Sequence, residues 1–192
     1  MTDLPRTRHS LLVRLKDHAD ADAWRTFIDV YAPAVFAFAR RSGLQPADAG
    51  DLAQDVCKAV AAALPAFDYD PGRGKFRGWL FTVVRNQLKM YRRSQARRGR
   101  DGGMDVLAEV PEDAASETWD LECRRRLFAW ACERVKPTVA AATWKAFWRL
   151  AVDGASGETV AAETGLTPAA VYLAKSRVLA KLRDAVAEVD EG

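Results

Sequence analysis

Apolar residues recur at helical spacing along most of this chain. In the first clear stretch, Trp24, Phe27, Tyr31, Val35 and Phe38 lie three or four positions apart. Such spacing places the apolar side chains on one face of a helix. Val, Ile and Thr seldom alternate with polar residues in the way that a half-buried strand requires. The pattern therefore predicts an all-α fold.

Residues that start or stop helices divide this apolar pattern into separate elements. Asp22 is the predicted N-cap of the first long helix, and Gly43 is predicted to end it. Pro33 lies inside that helix and is expected to bend it or to split it in two. Further helices are predicted to begin at Asp48 or Asp51, at Phe76, at Trp119, at Val139, at Glu158 and at Pro168.

The last two helices form the sharpest local pattern in the sequence. Gly165 can adopt the left-handed backbone of a tight turn, and Thr167-Pro168 is typical of an N-cap followed by proline at the first helical position. The small Ala161 fits two helices that cross closely. This is a helix-turn-helix pattern, which occurs in DNA-binding proteins and also in ordinary helical bundles. The residues of the last helix predicted to face inward are Val171, Ala174, Val178, Leu182 and Val186.

Charge is distributed in blocks, although the net charge of the whole chain is only +3. Residues 71–100 contain ten Lys or Arg and no acid, whereas residues 101–123 contain eight acids and no base. A basic run that includes aromatic residues is typical of a surface that binds a polyanion and stacks on its bases. The aromatic residues in question are Phe76, Trp79, Phe81 and Tyr91. The predicted cationic outer face of this helix consists of Arg77, Phe81, Arg85, Lys89 and Arg92.

Composition narrows the classes of function. No apolar run approaches the roughly 20 residues that span a bilayer, and the first ten residues lack the apolar core of a signal peptide. A cytoplasmic protein without membrane insertion is therefore expected. Cys57, Cys123 and Cys132 are an odd number for a disulfide framework and are expected to be free core thiols. No metal, cofactor or catalytic site is predicted, so an enzyme is the least supported class.

The acidic, glycine-containing residues 99–118 lack helical periodicity and are predicted to form a flexible linker. This linker would separate a helical domain of residues 1–98 from a smaller helical domain of residues 119–192. Two weak DNA-binding modules joined in this way gain affinity through effective concentration. The sequence leaves three interpretations of the negative charge open: it keeps the linker off DNA, it lets the linker enter a basic channel of a partner, or it belongs to an inert spacer.

Two segments resemble the sigma-70 family of bacterial RNA polymerase sigma factors, in its short extracytoplasmic-function (ECF) class. Residues 48–98 are similar to family region two, with an acidic helix containing DLAQDV, a loop, and a helix beginning FRGWLFTVVRNQ. Residues 157–183 are similar to family region four, which is a helix-turn-helix. Region four alone fits many regulators. The order and spacing of the two segments, with the acidic stretch between them, make the combination specific.

The resemblance implies a transcription initiation factor without catalytic activity, whose partners are core RNA polymerase and promoter DNA. It implies docking on the clamp helices of polymerase through Asp51, Gln54 and Asp55. Residues 67–98 would open and read the proximal promoter element, and residues 67–76 would capture a flipped base. The DNA-binding residues implied there are Arg77, Arg85, Asn86, Lys89, Arg92 and Arg93. The helix from Pro168 would read the distal element as duplex through Ala169, Ala170, Tyr172, Leu173, Lys175, Ser176, Arg177 and Lys181.

The chain departs from the family pattern at four positions. Ala53 and Cys57 replace larger apolar residues, which bears on polymerase contact, while Lys89 and Met90 replace an acid and an apolar residue, which bears on promoter preference. The resemblance also allows an anti-sigma factor as a partner without requiring one. Two alternatives stay open at this point. One is a helix-turn-helix regulator that binds duplex DNA without polymerase, and the other is an RNA-binding or scaffolding protein that uses the basic helix.

Overall fold

The computed structural model describes residues 11–67, 76–97 and 112–189. Within these ranges every regular element is helical, which confirms the predicted all-α fold. Short 3-10 turns follow the third and fifth helices at Leu64–Ala66 and Lys136–Thr138. The α-helices are α1 (Leu11–Leu15), α2 (Ala21–Arg41), α3 (Pro46–Ala63), α4 (Phe76–Arg97), α5 (Glu112–Val135), α6 (Ala141–Ala151), α7 (Gly157–Thr164) and α8 (Pro168–Ala187). The chain divides into two compact units, the first running to Leu127 and the second being Phe128–Glu188.

The N-cap of α2 is Asp20 and not the predicted Asp22. One carboxylate oxygen of Asp20 accepts a hydrogen bond from the Ala23 N–H at 2.9 Å. The Arg14 guanidinium donates to both oxygens, at 2.8 and 2.9 Å. The hydrogen bond from Arg14, followed by that from Ala23, holds the pKa of Asp20 below its usual value. Asp20 is therefore fixed as the cap by a residue of α1, which helical periodicity cannot reveal.

α2 continues across Pro33, so of the two expected effects of this proline, a bend or a split, the split does not occur. Proline removes one backbone hydrogen bond from a helix interior. Val30 and Ala34, on either side of Pro33, are fully buried, and their packing holds the two halves of α2 against the same core. Gly43, with φ of 88°, ends the helix as predicted.

The core of the first unit lies between α2, α3 and α4. Phe27 and Tyr31 of α2 pack against Phe76 of α4, with ring centroids 6.3 and 5.6 Å apart. α3 starts at Pro46, earlier than the predicted Asp48 or Asp51, because proline is well suited to the first turn of a helix, where no backbone donor is needed. α4 spans Phe76–Arg97, as the sequence predicted.

The first part of α5 belongs to the first unit and not to a separate domain. The helix begins at Glu112, so residues 112–118 are helical where a flexible linker was expected; residues 98–111 lie outside the described ranges. Trp119 is buried, and its indole N–H donates to the Arg77 carbonyl oxygen at 3.1 Å. Its ring also packs on the rings of Phe38 and Phe81. These contacts explain why the compact units divide after Leu127 and not at the expected residue 118.

Glu122 adds an ionic contact to the packing of α5 in the first unit. It is one of two buried polar residues of the described core, with 4% of its surface exposed. One carboxylate oxygen lies 2.9 Å from Arg41 of α2 and 3.2 Å from Arg125 of α5. A buried carboxylate needs such partners, because an unpaired charge away from water is costly.

The second unit has two adjoining hydrophobic clusters. The larger joins the end of α5 to α6 and α8 through Ala131, Cys132, Val135, Phe147, Val178, Leu182 and Ala185. The smaller is the core of the helix-turn-helix and consists of Ala146, Val160, Val171 and Ala174. Of the predicted inward residues of α8, the first four are buried, while Val186 is half-buried and Ala185 fills the inner position beside it. The three cysteines are free, as expected, with Cys123 and Cys132 buried and Cys57 half-buried.

The turn between α7 and α8 has the local structure that the sequence predicted. Gly165 is left-handed with φ of 70°, and the Thr167 hydroxyl accepts a hydrogen bond from the Ala170 N–H at 3.2 Å ahead of Pro168. α7 is also tied to α6, because the Arg149 guanidinium donates to both carboxylate oxygens of Glu163, at 2.9 and 3.0 Å. The orientation of the helix-turn-helix on α6 is therefore supported by both apolar and ionic contacts.

Candidate nucleic-acid and polymerase interfaces

α4 presents one exposed stripe of polar and cationic residues. Asn86, Lys89 and Arg93, three of the predicted DNA-binding residues, are exposed and lie three or four positions apart. Met90 and Arg97 extend the same exposed surface, and Met90 is 61% exposed. Sequence reasoning missed these two, although Arg97 follows Arg93 by four positions. We call these five residues the α4 stripe. Two of them, Lys89 and Met90, are departures from the family pattern, so those departures lie on the surface and not in the core.

The other three predicted DNA-binding residues of α4 are half-buried at the border of the stripe. The Arg85 guanidinium lies over the Phe81 ring, 5.7 Å from its centroid. Arg92 donates to the Ser42 carbonyl oxygen at 3.5 Å. The backbone carbonyl oxygen of Arg77 accepts the hydrogen bond from the Trp119 indole N–H. The predicted cationic face is therefore divided: Arg77, Arg85 and Arg92 are half-buried, while the α4 stripe faces outward.

The aromatic residues of the basic run are mainly core residues, which corrects the expectation that they stack on bases. Phe76 and Phe81 are 7% and 6% exposed. Trp79 is half-buried and packs on Phe67, with ring centroids 4.4 Å apart. Tyr91 is half-buried as well, and its hydroxyl accepts a hydrogen bond from the Gln95 amide at 2.7 Å. The predicted base-capturing segment, residues 67–76, lies outside the described ranges except for its two ends.

Asp51, Gln54 and Asp55 are exposed on α3, opposite the buried face of Leu52 and Val56. Asp55 accepts a hydrogen bond from the Lys58 ammonium at 3.0 Å, and both side chains are exposed. The two departures on α3 lie on its inner side instead: Ala53 is 8% exposed and Cys57 is half-buried, and burial raises the pKa of the Cys57 thiol. These departures therefore change the packing under the acidic surface and leave its outward groups in place.

α8 presents its predicted outward residues to solvent. Tyr172 and Leu173 are 58% and 49% exposed and are adjacent on the outer face of the helix. Ala169, Ser176, Arg177 and Lys181 are exposed, and Ala170 and Lys175 are half-buried. All eight predicted residues thus lie away from the core of the helix-turn-helix, and cationic groups flank an apolar patch at the N-terminal end of the helix.

Comparisons with known proteins show which family the sequence resembles. Residues 27–98, which contain most of α2 and all of α3 and α4, match Sigma-70 region 2. The ECF RNA polymerase sigma factor RpoE of Cereibacter sphaeroides is 33% identical over 78 residues, 41% of this chain and 42% of that protein. The ECF RNA polymerase sigma factor ShbA of Streptomyces griseus is 29% identical over 196 residues, 95% of this chain and 97% of that protein. The ECF RNA polymerase sigma factor SigD of Mycobacterium tuberculosis is 28% identical, over 87% of this chain and 78% of that protein.

Residues 27–98 thus carry Sigma-70 region 2, and the relatives that the chain resembles are ECF RNA polymerase sigma factors. These similarities support a transcription initiation sigma factor and do not favour a regulator that works without polymerase. The chain spans less than half of the RpoE relative but most of the other two. The region 2 match contains the α3 acidic surface and the α4 stripe, whereas α8 is covered by the longer alignments.

Among the described residues, no group of three or more His, Cys, Asp and Glu side chains is placed to hold a metal ion. No helix in the same ranges is long and apolar enough to cross a bilayer.

Proposed function

We propose that this sigma factor binds core RNA polymerase through the α3 surface of Asp51, Gln54 and Asp55 and directs it to promoters with two separate DNA-binding helices. The observation that carries the proposal is the presence, in one chain, of an exposed acidic face on α3 and exposed cationic faces on α4 and α8. Within this proposal the clamp helices of polymerase are the partner of α3. No residue of the chain has a catalytic role, and no cofactor is required.

α4 would open and read the proximal promoter element. Lys89, Arg93 and Arg97 supply phosphate contacts that do not depend on sequence. Asn86 lies on the same stripe and offers an amide, which can pair with the edges of bases. Arg92 would mainly hold α4 in place, because its guanidinium already donates to the Ser42 carbonyl oxygen, while Arg85 already lies over the Phe81 ring of its own helix.

α8 would read the distal element as duplex. The Thr167 cap and Pro168 define where the helix starts, so Ala169, Tyr172 and Leu173 would enter the major groove first. Their apolar surfaces are suited to thymine methyl groups. Ser176, Arg177 and Lys181 follow one or two turns later and can reach phosphates or base edges.

The α3 assignment is tested by reversing its charge. Asp51→Lys and Asp55→Lys together should weaken assembly with core polymerase in a pull-down, because both carboxylates are exposed and aimed outward. The fold should survive, since the Asp55–Lys58 pair is a surface pair, which contributes little to stability.

The matched control reverses two exposed acids outside α3, Asp29→Lys and Asp184→Lys, and should leave assembly unchanged. Equal assembly of the α3 variant and the control would reject α3 as the docking surface. A chain that binds duplex DNA but never polymerase would instead support the alternative, a polymerase-independent helix-turn-helix regulator.

A further inference from the structure

The ring of Tyr172 lies close against the backbone of Gly157. An ideal Cβ built on Gly157 would be 2.9 Å from both Cε2 and Oη of Tyr172 and 3.1 Å from Cζ. Real Cβ atoms essentially never approach other atoms to less than 3.0 Å. The observed position of the Tyr172 ring therefore requires a residue without a side chain at position 157.

Gly157 is distinct from the other described glycines. Gly43, Gly154 and Gly165 have positive φ angles, so their backbone conformation explains their presence. Gly157 does not have a positive φ; it is the buried first residue of α7, directly after the Ser156 cap. A Cβ at Gly50 or Gly78 would meet no atom within 4 Å. The need for glycine at 157 thus comes from close approach by a side chain of α8.

The contact involves the largest exposed side chain of the proposed reading surface of α8. Tyr172 keeps 58% of its surface exposed while one edge of its ring rests on α7. An exposed side chain normally samples several rotamers, and binding then costs the entropy of fixing it. A ring already held against α7 loses less entropy when it meets DNA.

We infer that Gly157 is a positioning residue for promoter recognition, which fixes Tyr172 at the start of α8 so that its ring meets the base pairs of the distal element in one orientation. This inference rests on the proposed promoter-reading role of α8. The inference adds a residue on α7 that does not itself touch the bases. The preference of Tyr172 for promoter DNA over other DNA then depends on which residue occupies position 157.

Gly157→Ala, Tyr172→Ala and the double variant test this inference in a double-mutant cycle. Each full-length chain is assembled with core polymerase and titrated onto a promoter duplex recovered with the wild-type holoenzyme, and onto a scrambled duplex. Gly157→Ala should weaken promoter binding by about two- to tenfold, the effect of one side chain losing its preorganised rotamer. Scrambled DNA should be bound as before. In the Tyr172→Ala background, Gly157→Ala should have no further effect.

A spectroscopic measurement separates positioning from simple loss of structure. The chain has four tyrosines, so the ring resonances missing from Tyr172→Ala identify Tyr172 in the spectrum of the free protein. Those resonances should shift in Gly157→Ala, while the thermal unfolding midpoint stays close to that of the wild type. Gly78→Ala, which adds the same methyl group in open space, is the matched control and should leave the Tyr172 resonances unshifted.

Three results would overturn the inference: unshifted Tyr172 resonances in Gly157→Ala, the same loss of affinity with and without Tyr172, or normal promoter binding by Tyr172→Ala. Failure of the proposed function itself gives a different result, because the wild-type holoenzyme would then not prefer the promoter duplex over the scrambled one.

Discussion

Arg177 and Val178 are neighbours in sequence that face opposite sides of α8. Arg177 is exposed, whereas Val178 is fully buried in the cluster that also contains Phe147 and Leu182. The same helix therefore separates residues that should affect DNA binding from residues that should affect stability. Single substitutions at these two positions can tell the two roles apart.

Arg177→Ala should weaken promoter binding and change the free energy of unfolding by no more than about 0.5 kcal/mol, as is usual for exposed positions. Val178→Asp should destabilise the second unit by roughly 3–5 kcal/mol, because it places an unpaired carboxylate in an apolar core. Thermal unfolding and promoter-duplex titration measure the two effects. If Val178→Asp is tolerated while Arg177→Ala binds DNA normally, the orientation of α8 described here is incorrect.

At the scale of elements, the α6–α7 junction combines packing with an ion pair. The Arg149 guanidinium forms a bidentate ion pair with Glu163 and also lies 3.0 Å from Asp153 on its own helix. The hydrogen bonds that Arg149 donates to Glu163 lower the pKa of the Glu163 carboxyl, and the same bonds raise the pKa of Arg149 further above its already high value. The junction is therefore expected to respond to acid.

Because the folded-state pKa of Glu163 lies below its unfolded value, the carboxylate stabilises the fold above the usual pKa of Glu. That stabilisation is lost as the pH falls through the lowered folded-state pKa. Glu163→Gln should lower the unfolding midpoint at neutral pH and should flatten its decline in acid. Unfolding followed from about pH 7 to pH 3 measures this. Glu133→Gln, at an exposed position of the same unit, is the control; an equal response of both variants would contradict the role of the Arg149 pair.

Local chemistry made some elements predictable from the sequence. The Gly165–Thr167–Pro168 turn follows from residues that act on their own backbone. The outward residues of α8 follow from periodicity alone, because its inner face is uniformly apolar.

Long-range contacts account for the elements that the sequence did not reveal. Phe81 appeared to share the cationic face of α4, but Phe38 and Trp119 from other helices cover it. Residues 112–118 resembled a linker because nothing local shows that Trp119 will bond to Arg77. The residues around Gly157 did not indicate its role, because Tyr172, the residue that packs against it, lies beyond the turn on α8.

At the scale of the whole molecule, charge is the property that links the two units to one function. Within the described residues of α4, the exposed cations of the α4 stripe are Lys89, Arg93 and Arg97. Half-buried arginines of the same helix already contact the first unit, so counting every base in the sequence overstates the charge available for DNA.

Lys89→Ala with Arg93→Ala should reduce open-complex formation by the holoenzyme and flatten its salt dependence. Two lost phosphate contacts should reduce the slope of log K against log salt by roughly 1.4 to 1.8. Removing two exposed cations elsewhere, with Lys16→Ala and Arg126→Ala, should leave the slope unchanged. If both pairs lower the slope equally, the effect comes from total charge and not from the α4 stripe.

The central claim is that this chain gives core RNA polymerase its promoter specificity. The most direct test incubates core polymerase, the purified chain, or both with fragments of genomic DNA, and then sequences the fragments retained and probes them for unpaired thymines. The account predicts that a defined set of fragments is retained and opened only when both proteins are present. Retention of the same fragments by the chain alone, with no change on adding polymerase, would contradict it.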